Sequence, residues 1–247
     1  MNQQQPLNSL DYLLHGFQLI WQPGIRRYAF IPIIINLLLF IGLGILASHY
    51  FKDFLAWFNN HIPTWLQWLN PVLWILFLTV VILIATYTFT FFANLVAAPF
   101  NGLLAEQVER YLTHKIDSSP TSLLGLVKDA PRSVGRQLRY LSYFLPRAFL
   151  ILLIFLIPGG QIIAPPLWFI FNGWTMALQY LDYPMDNHRV SFTVMQQQLK
   201  QQRLASLGFG ITIVLFTMIP LVNLFVMPAA VAGATKLWLK NFNSAKL

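Results

Sequence analysis

Apolar residues run along this chain in long unbroken blocks. The stretch from Tyr28 to Phe51 contains no Asp, Glu, Lys or Arg and is closed by Lys52 and Asp53. About 20 residues cross a hydrocarbon core, so this block predicts a membrane-spanning helix. A second uncharged block, Phe54 to Ala105, is interrupted by the polar patch Asn59-Asn60-His61-Ile62-Pro63 and is almost wholly apolar from Val72 to Ala98. At 1.5 Å per residue that apolar part makes roughly 40 Å of helix, longer than a core of about 30 Å, so it must tilt or protrude.

Ahead of these blocks, Leu7, Leu10, Leu14, Phe17 and Trp21 follow the 3–4 spacing of one helix face. Residues 6–22 are therefore expected to form an amphipathic helix lying on the membrane surface. A core-facing helix would need a packed interior that the composition does not promise. Two later blocks behave differently. Ala148 to Leu181 is uncharged but carries Pro158-Gly159-Gly160 and Pro165-Pro166, and Leu204 to Thr235 carries Pro220 and Pro228. Cut at both motifs, the first block leaves pieces too short to cross. Each block then reads either as a helical hairpin that enters the bilayer and turns back or as a kinked spanning pair. Ile157-Pro158 before Pro165 parallels Ile219-Pro220 before Pro228, a hint of internal repetition. Broken apolar segments at matching positions point to transport, because freed main-chain groups need a protein-lined or watery cavity.

Composition sharpens the class. Only 10% of the 247 residues are charged and 57% are hydrophobic, against about 25% charged in soluble domains. This excludes a disordered chain and leaves one integral membrane domain, 1–247, all-α. There is no cysteine, which removes disulfides and thiolate chemistry. A net charge of +8 in a membrane protein reflects basic residues kept on the cytoplasmic side, and no nucleic-acid partner is expected. Of the 16 basic residues only Lys52 lies between the two spans. The positive-inside rule then predicts both termini and residues 106–147 in the cytoplasm.

The motifs of common enzymes are missing: no G-x-x-x-x-G-K-[ST], no H-E-x-x-H and no G-x-S-x-G. The five histidines have no metal-ligand spacing. The expectation is a transporter or channel with no catalytic residue, metal or cofactor. Its most informative segment is Gln22-Pro23-Gly24-Ile25-Arg26-Arg27, just before the first span. Gly24 permits close backbone approach, the first N–H groups of the next helix are unpaired, and each guanidinium offers five donors. Gly24, Ile25, Arg26 and Arg27 form an oxyanion-site candidate; the competing reading is a topology anchor. Such a donor-only site suits sulfate better than phosphate, which still carries a proton near neutral pH.

Three further segments carry charge. Ala97 to Arg110 holds Glu106 and Arg110 at ion-pair spacing, with Glu109 between them; these are pathway or gate candidates, or a solvated helix end. Arg132, Arg136 and Arg139 share a helix face, read either as an anion vestibule or as a basic face on lipid headgroups. Tyr180 to His188 reads as a capped loop or a gate, with Asp182, Asp186 and His188 able to carry protons.

The segments Gln22 to Arg27, Ala97 to Glu106, Tyr180 to His188 and Pro228 to Thr235 closely resemble the CysZ sulfate permeases of bacterial inner membranes, in order and over nearly the whole chain. The resemblance implies sulfate uptake for cysteine biosynthesis. It implies two long transmembrane helices, two membrane-penetrating hairpins and a homo-oligomer in the lipid bilayer. It also implies sulfate binding by the Gly-x-Arg-Arg segment, here Gly24 to Arg27. Two alternatives stay open: a less selective oxyanion channel or exchanger, and a scaffold assisting a separate ABC-type sulfate importer.

Overall fold

A computed structural model describes residues 8–61, 70–114 and 123–242. Every regular element among them is an α-helix: α1 (Ser9–Leu19), α2 (Arg26–His61), α3 (Asn70–Thr113), α4 (Leu123–Leu156), α5 (Gly160–Asn187), α6 (Phe192–Gln201), α7 (Arg203–Thr217) and α8 (Pro220–Asn241). The chain divides into two units, Met1–Ala29 with Ala98–Leu247, and Phe30–Ala97.

The Phe30–Ala97 unit holds most of α2 and α3. With 36 and 44 residues, these helices run about 54 and 66 Å, longer than the hydrocarbon core. Ile34, Leu37, Leu38, Phe40, Ile41, Leu43 and Ile45 of α2 and Val72, Ile75 and Leu76 of α3 are all exposed. Arg26–Ile45 has a mean hydropathy of 2.4, yet only 11% of its most apolar stretch is covered by protein. A water-facing surface of this kind would be unstable. Of the interrupting patch, Ile62 and Pro63 lie outside the described residues.

The other unit has a packed interior built from α1, α5, α7 and α8. Helix α8 is its centre, and Pro228 to Thr235 are buried without a break. Their small side chains allow close helix approach, the usual source of helix association in lipid. Gly16 of α1 meets the Ala229 carbonyl, and Gly233 of α8 meets the Tyr12 carbonyl. Gly210 of α7 and Gly173 of α5 repeat the arrangement. In each case a Cβ would collide with the partner helix's backbone or, at Gly173, with Ile211.

This interior corrects the expectation for the N-terminal helix. Tyr12, Leu13, Gly16 and Leu19 of α1 are buried, so the helix does pack against a core. The face read from the sequence is the opposite one: Leu10, Leu14 and Trp21 remain exposed. The helix thus has two apolar faces, and Leu7 lies outside the described residues.

The hairpins are broken once each, not twice. Between α4 and α5 the chain turns at 157–159, where Gly159 takes φ +83°. There Gly160 N–H donates to the Ile157 carbonyl at 2.8 Å, and the Gln161 side chain satisfies the Phe155 carbonyl at 3.0 Å. Pro165 and Pro166, expected to cut the segment, lie inside α5. Between α7 and α8 the turn falls at Met218-Ile219, Pro220 opens α8, and Pro228 lies inside it. An internal proline removes one main-chain donor, a loss that flanking turns and neighbouring helices absorb in lipid. Cut once, each hairpin has one arm long and apolar enough to span, Gly135–Leu156 and Pro220–Asn241, while α7 (Arg203–Thr217) is a shorter apolar helix.

Gly210→Leu is expected to destabilise the protein by about 3 kcal/mol, through forced separation of α5 and α7. Gly135 has open space around its would-be Cβ, so Gly135→Ala should be neutral or stabilising by up to about 1 kcal/mol. Thermal unfolding of both variants in one detergent checks the contrast.

Candidate functional site

The first candidate segment lies at the start of α2. Beyond α1 the chain turns through Gln22-Pro23-Gly24, with Gly24 at φ +89°, where a side chain would be strained. Ile25 and Ala29 follow, four residues apart and each 2% exposed. They seat one face of the first turn in the protein, and the opposite face carries Arg26 and Arg27, both exposed. The Arg27 guanidinium lies 4.9 Å from the centre of the Tyr28 ring, close enough for a cation–π contact. Among the described residues no carboxylate pairs with either arginine. Asp11, the acid closest in sequence, accepts from the Asn8 N–H at 2.9 Å.

The main chain here differs from the sequence expectation in one respect. Ile25 and Arg26 N–H both donate to the Gln22 carbonyl at 3.1 Å. Their amides are thus committed to the turn, and no backbone carbonyl among the described residues accepts from Gly24 or Arg27. The donors left for an anion are the two guanidinium groups and the Gly24 and Arg27 amides. Ile25 contributes its buried side chain as an anchor.

The other three segments meet in one polar cluster. Asn101 Nδ2 donates to the Tyr183 hydroxyl at 3.1 Å, and Asn187 Nδ2 donates to the Gly102 carbonyl at 2.9 Å. His188 Nε2 lies 2.8 Å from a Glu109 oxygen, with its ring 4.4 Å from that of Trp238. The end of α3 is thereby joined to the end of α5. Tyr180 to Asn187 is helical, not the loop expected, and α5 closes on a bend in which Val190 N–H donates to the Met185 carbonyl and Arg189 N–H to the Asp186 carbonyl. Arg189 takes the left-handed conformation at φ +59°. That bend carries His188 to Glu109. Glu106 and Arg110 form the expected ion pair at 2.5 Å.

The largest departure concerns the arginines of α4. Arg136, read as facing either an anion or lipid headgroups, is 8% exposed. Its Nε donates to Asp182 at 2.6 Å, and its Nη1 to Asp186 at 2.9 Å and to the Val190 carbonyl at 2.6 Å. Arg132 Nη1 reaches the same Asp186 carboxylate at 2.8 Å. Two arginines spaced i, i+4 on α4 thus face two aspartates spaced i, i+4 on α5. Each pair is visible in the sequence; that they oppose one another is not. Burial pushes the Asp182 carboxyl up to about 6, against the opposing pull of Arg136. Of Arg132, Arg136 and Arg139, only Arg139 keeps the exposed position expected.

Comparison with known proteins adds the family. A family model described as sulfate transporter CysZ/etoposide-induced protein 2.4 matches residues 12–228. This chain belongs to that family. It is 43% identical over 239 residues to the sulfate transporter CysZ of Pectobacterium atrosepticum, covering 96% of this chain and 86% of the relative. To the sulfate transporter CysZ of Salmonella typhimurium it is 45% identical over 237 residues, 94% and 92% of the two chains. The match includes every segment described above, so an all-α membrane protein of a transporter family is the frame for each of them.

Replacing Arg136 by Gln leaves Asp182 and Asp186 short of their main partner and should cost about 3 kcal/mol. Arg139→Gln should change stability by less than about 0.5 kcal/mol. Denaturation monitored by tryptophan fluorescence in detergent measures both.

Proposed function

We propose that this protein carries sulfate across the bacterial inner membrane into the cytoplasm, supplying sulfur for cysteine biosynthesis. The whole chain acts as one transporter domain and works as a homo-oligomer. Both termini lie on the cytoplasmic side, as the distribution of basic residues favours. The named relatives are sulfate transporters, and similarity over nearly the full length supports the same cargo here.

The observation that carries the proposal is the pair of exposed guanidinium groups, without a carboxylate partner among the described residues, behind a glycine in a left-handed turn. Sulfate is doubly charged near neutral pH and accepts hydrogen bonds at every oxygen. Arg26 and Arg27 neutralise it and grip it with charge-assisted bonds, and the Gly24 and Arg27 amides complete the cradle. Phosphate brings a proton that such a site cannot accept. On the charge-derived topology the cradle lies on the cytoplasmic side, so it governs release or regulation as much as capture. Glu106, Glu109 and Arg110 serve as the gate. Their carboxylates repel sulfate while exposed, and pairing with Arg110 and His188 removes that barrier.

The double variant Arg26→Ala/Arg27→Ala is expected to weaken sulfate binding by at least about a hundredfold, since each charged hydrogen bond contributes roughly 1.5–3 kcal/mol. Radioligand binding to folded, purified protein checks this, and unchanged affinity would sink the site assignment. For transport itself, vesicles containing only this protein should accumulate labelled sulfate down a sulfate gradient, with excess phosphate competing weakly. No flux would favour the scaffold alternative; equal competition by phosphate would favour the broader anion channel.

A further inference from the structure

Arg147, inside the apolar part of the first hairpin, is used by neither the sulfate cradle nor the polar cluster. Between Arg139 and Asp182 the only charged residue is Arg147. It is exposed on α4, and among the described residues no carboxylate pairs with it. Leu145, Phe149 and Leu150 around it are 57%, 60% and 60% exposed. From there to the turn the outer surface is apolar, with Leu152, Leu156, Ile157 and Ile162 also exposed.

This arginine is held in place. Its guanidinium carbon lies 3.8 Å from the centre of the Tyr143 ring, and its Nη1 donates to the Tyr143 carbonyl at 2.7 Å. Tyr143 is fixed in turn by Trp174, whose Nε1 donates to the tyrosine hydroxyl at 3.0 Å. The edge of the Phe192 ring packs against it, with centroids 6.4 Å apart. No acceptor among the described residues engages the remaining guanidinium N–H groups. A fixed cation at the rim of an apolar surface is costly against lipid tails unless an anion meets it. Water alone would leave no reason to seat it on a fixed aromatic ring.

We propose that Arg147, positioned by Tyr143 and Trp174, binds the phosphate of an anionic glycerophospholipid at the boundary between acyl chains and headgroups. A guanidinium fork matches two phosphate oxygens at once. Tyrosine and tryptophan are the side chains that favour this level of a bilayer. The lipid's acyl chains then lie along the exposed leucines and isoleucines between Arg147 and the turn. The site requires α4 to face lipid at this position and is independent of which anion is transported.

The test is native mass spectrometry of delipidated protein titrated with phosphatidylglycerol. Wild-type protein should retain one lipid that Arg147→Gln loses, the one-lipid species falling about tenfold. Arg147→Lys should retain an intermediate amount. Lys200→Gln, at an exposed position of α6, should match wild type. Millimolar inorganic phosphate should leave the lipid bound. Equal lipid retention by wild type and Arg147→Gln overturns the proposal, as does displacement by inorganic phosphate, which marks a free-anion site. Should Arg147→Gln fail to fold by circular dichroism, wild type alone decides: equal retention of phosphatidylcholine and phosphatidylglycerol overturns the assignment.

Discussion

The rest of the structure follows from the absence of water along its apolar lengths. Main-chain N–H and C=O groups there must find partners within the protein, so all described regular structure is helical. Where the chain has to turn back inside an apolar block, the turn supplies its own partners. At 157–159 these are the Ile157 carbonyl for Gly160 and the Gln161 amide for Phe155. The same scarcity of water governs charge. Thirty-four residues from Ala148 to Leu181 carry none, and the buried charges that flank this block are paired.

Apolar side chains gain little by leaving lipid for one another, so close helix packing has to come from shape. Glycine and alanine provide it. Gly16 and Gly233 let α1 rest on α8, and Gly173 and Gly210 let α5 rest on α7. The run Ala229 to Ala234 keeps the central helix slim while wholly buried. This frame sets the polar ends of α4 and α5 side by side. Arg136 can then reach both Asp182 and Asp186, and His188 meets Glu109 over the face of Trp238. Such a network tolerates neither removal of one partner nor addition of an unpaired one. That makes it a poor place for a mobile anion to dwell. The arginines at the start of α2, without a carboxylate partner among the described residues, have the opposite character: exposed, donor-rich and held by the buried Ile25 and Ala29.

Much of this was legible in the sequence. Unbroken apolar blocks fixed the class, because only a helix satisfies 24 uncharged residues in lipid. The Glu106–Arg110 pair was legible as well, since i, i+4 spacing makes neighbours on any helix. Proline misled the reading twice. In water a proline inside a helix is a strong breaker, but α5 continues through Pro165-Pro166 and α8 through Pro228. Leu10, Leu14 and Trp21 concealed the fact that Tyr12, Leu13, Gly16 and Leu19 form a second apolar face. Periodicity finds one stripe and cannot say which of two will meet protein.

By itself, then, the chain determined its solvent, its helical class, the positions of its turns at Pro158 and Pro220, and the existence of a donor-rich bend at Gly24 to Arg27. These depend on local composition and on contacts a few residues apart. Only the tertiary structure decided that Arg132 and Arg136 face Asp182 and Asp186, that α3 is stapled to α5, and that the Ile25 and Arg26 amides are spent on Gln22. Partners tens of residues apart are chosen by how helices are set against one another. That choice depends on the fit of many small side chains at once, which no single stretch of sequence records.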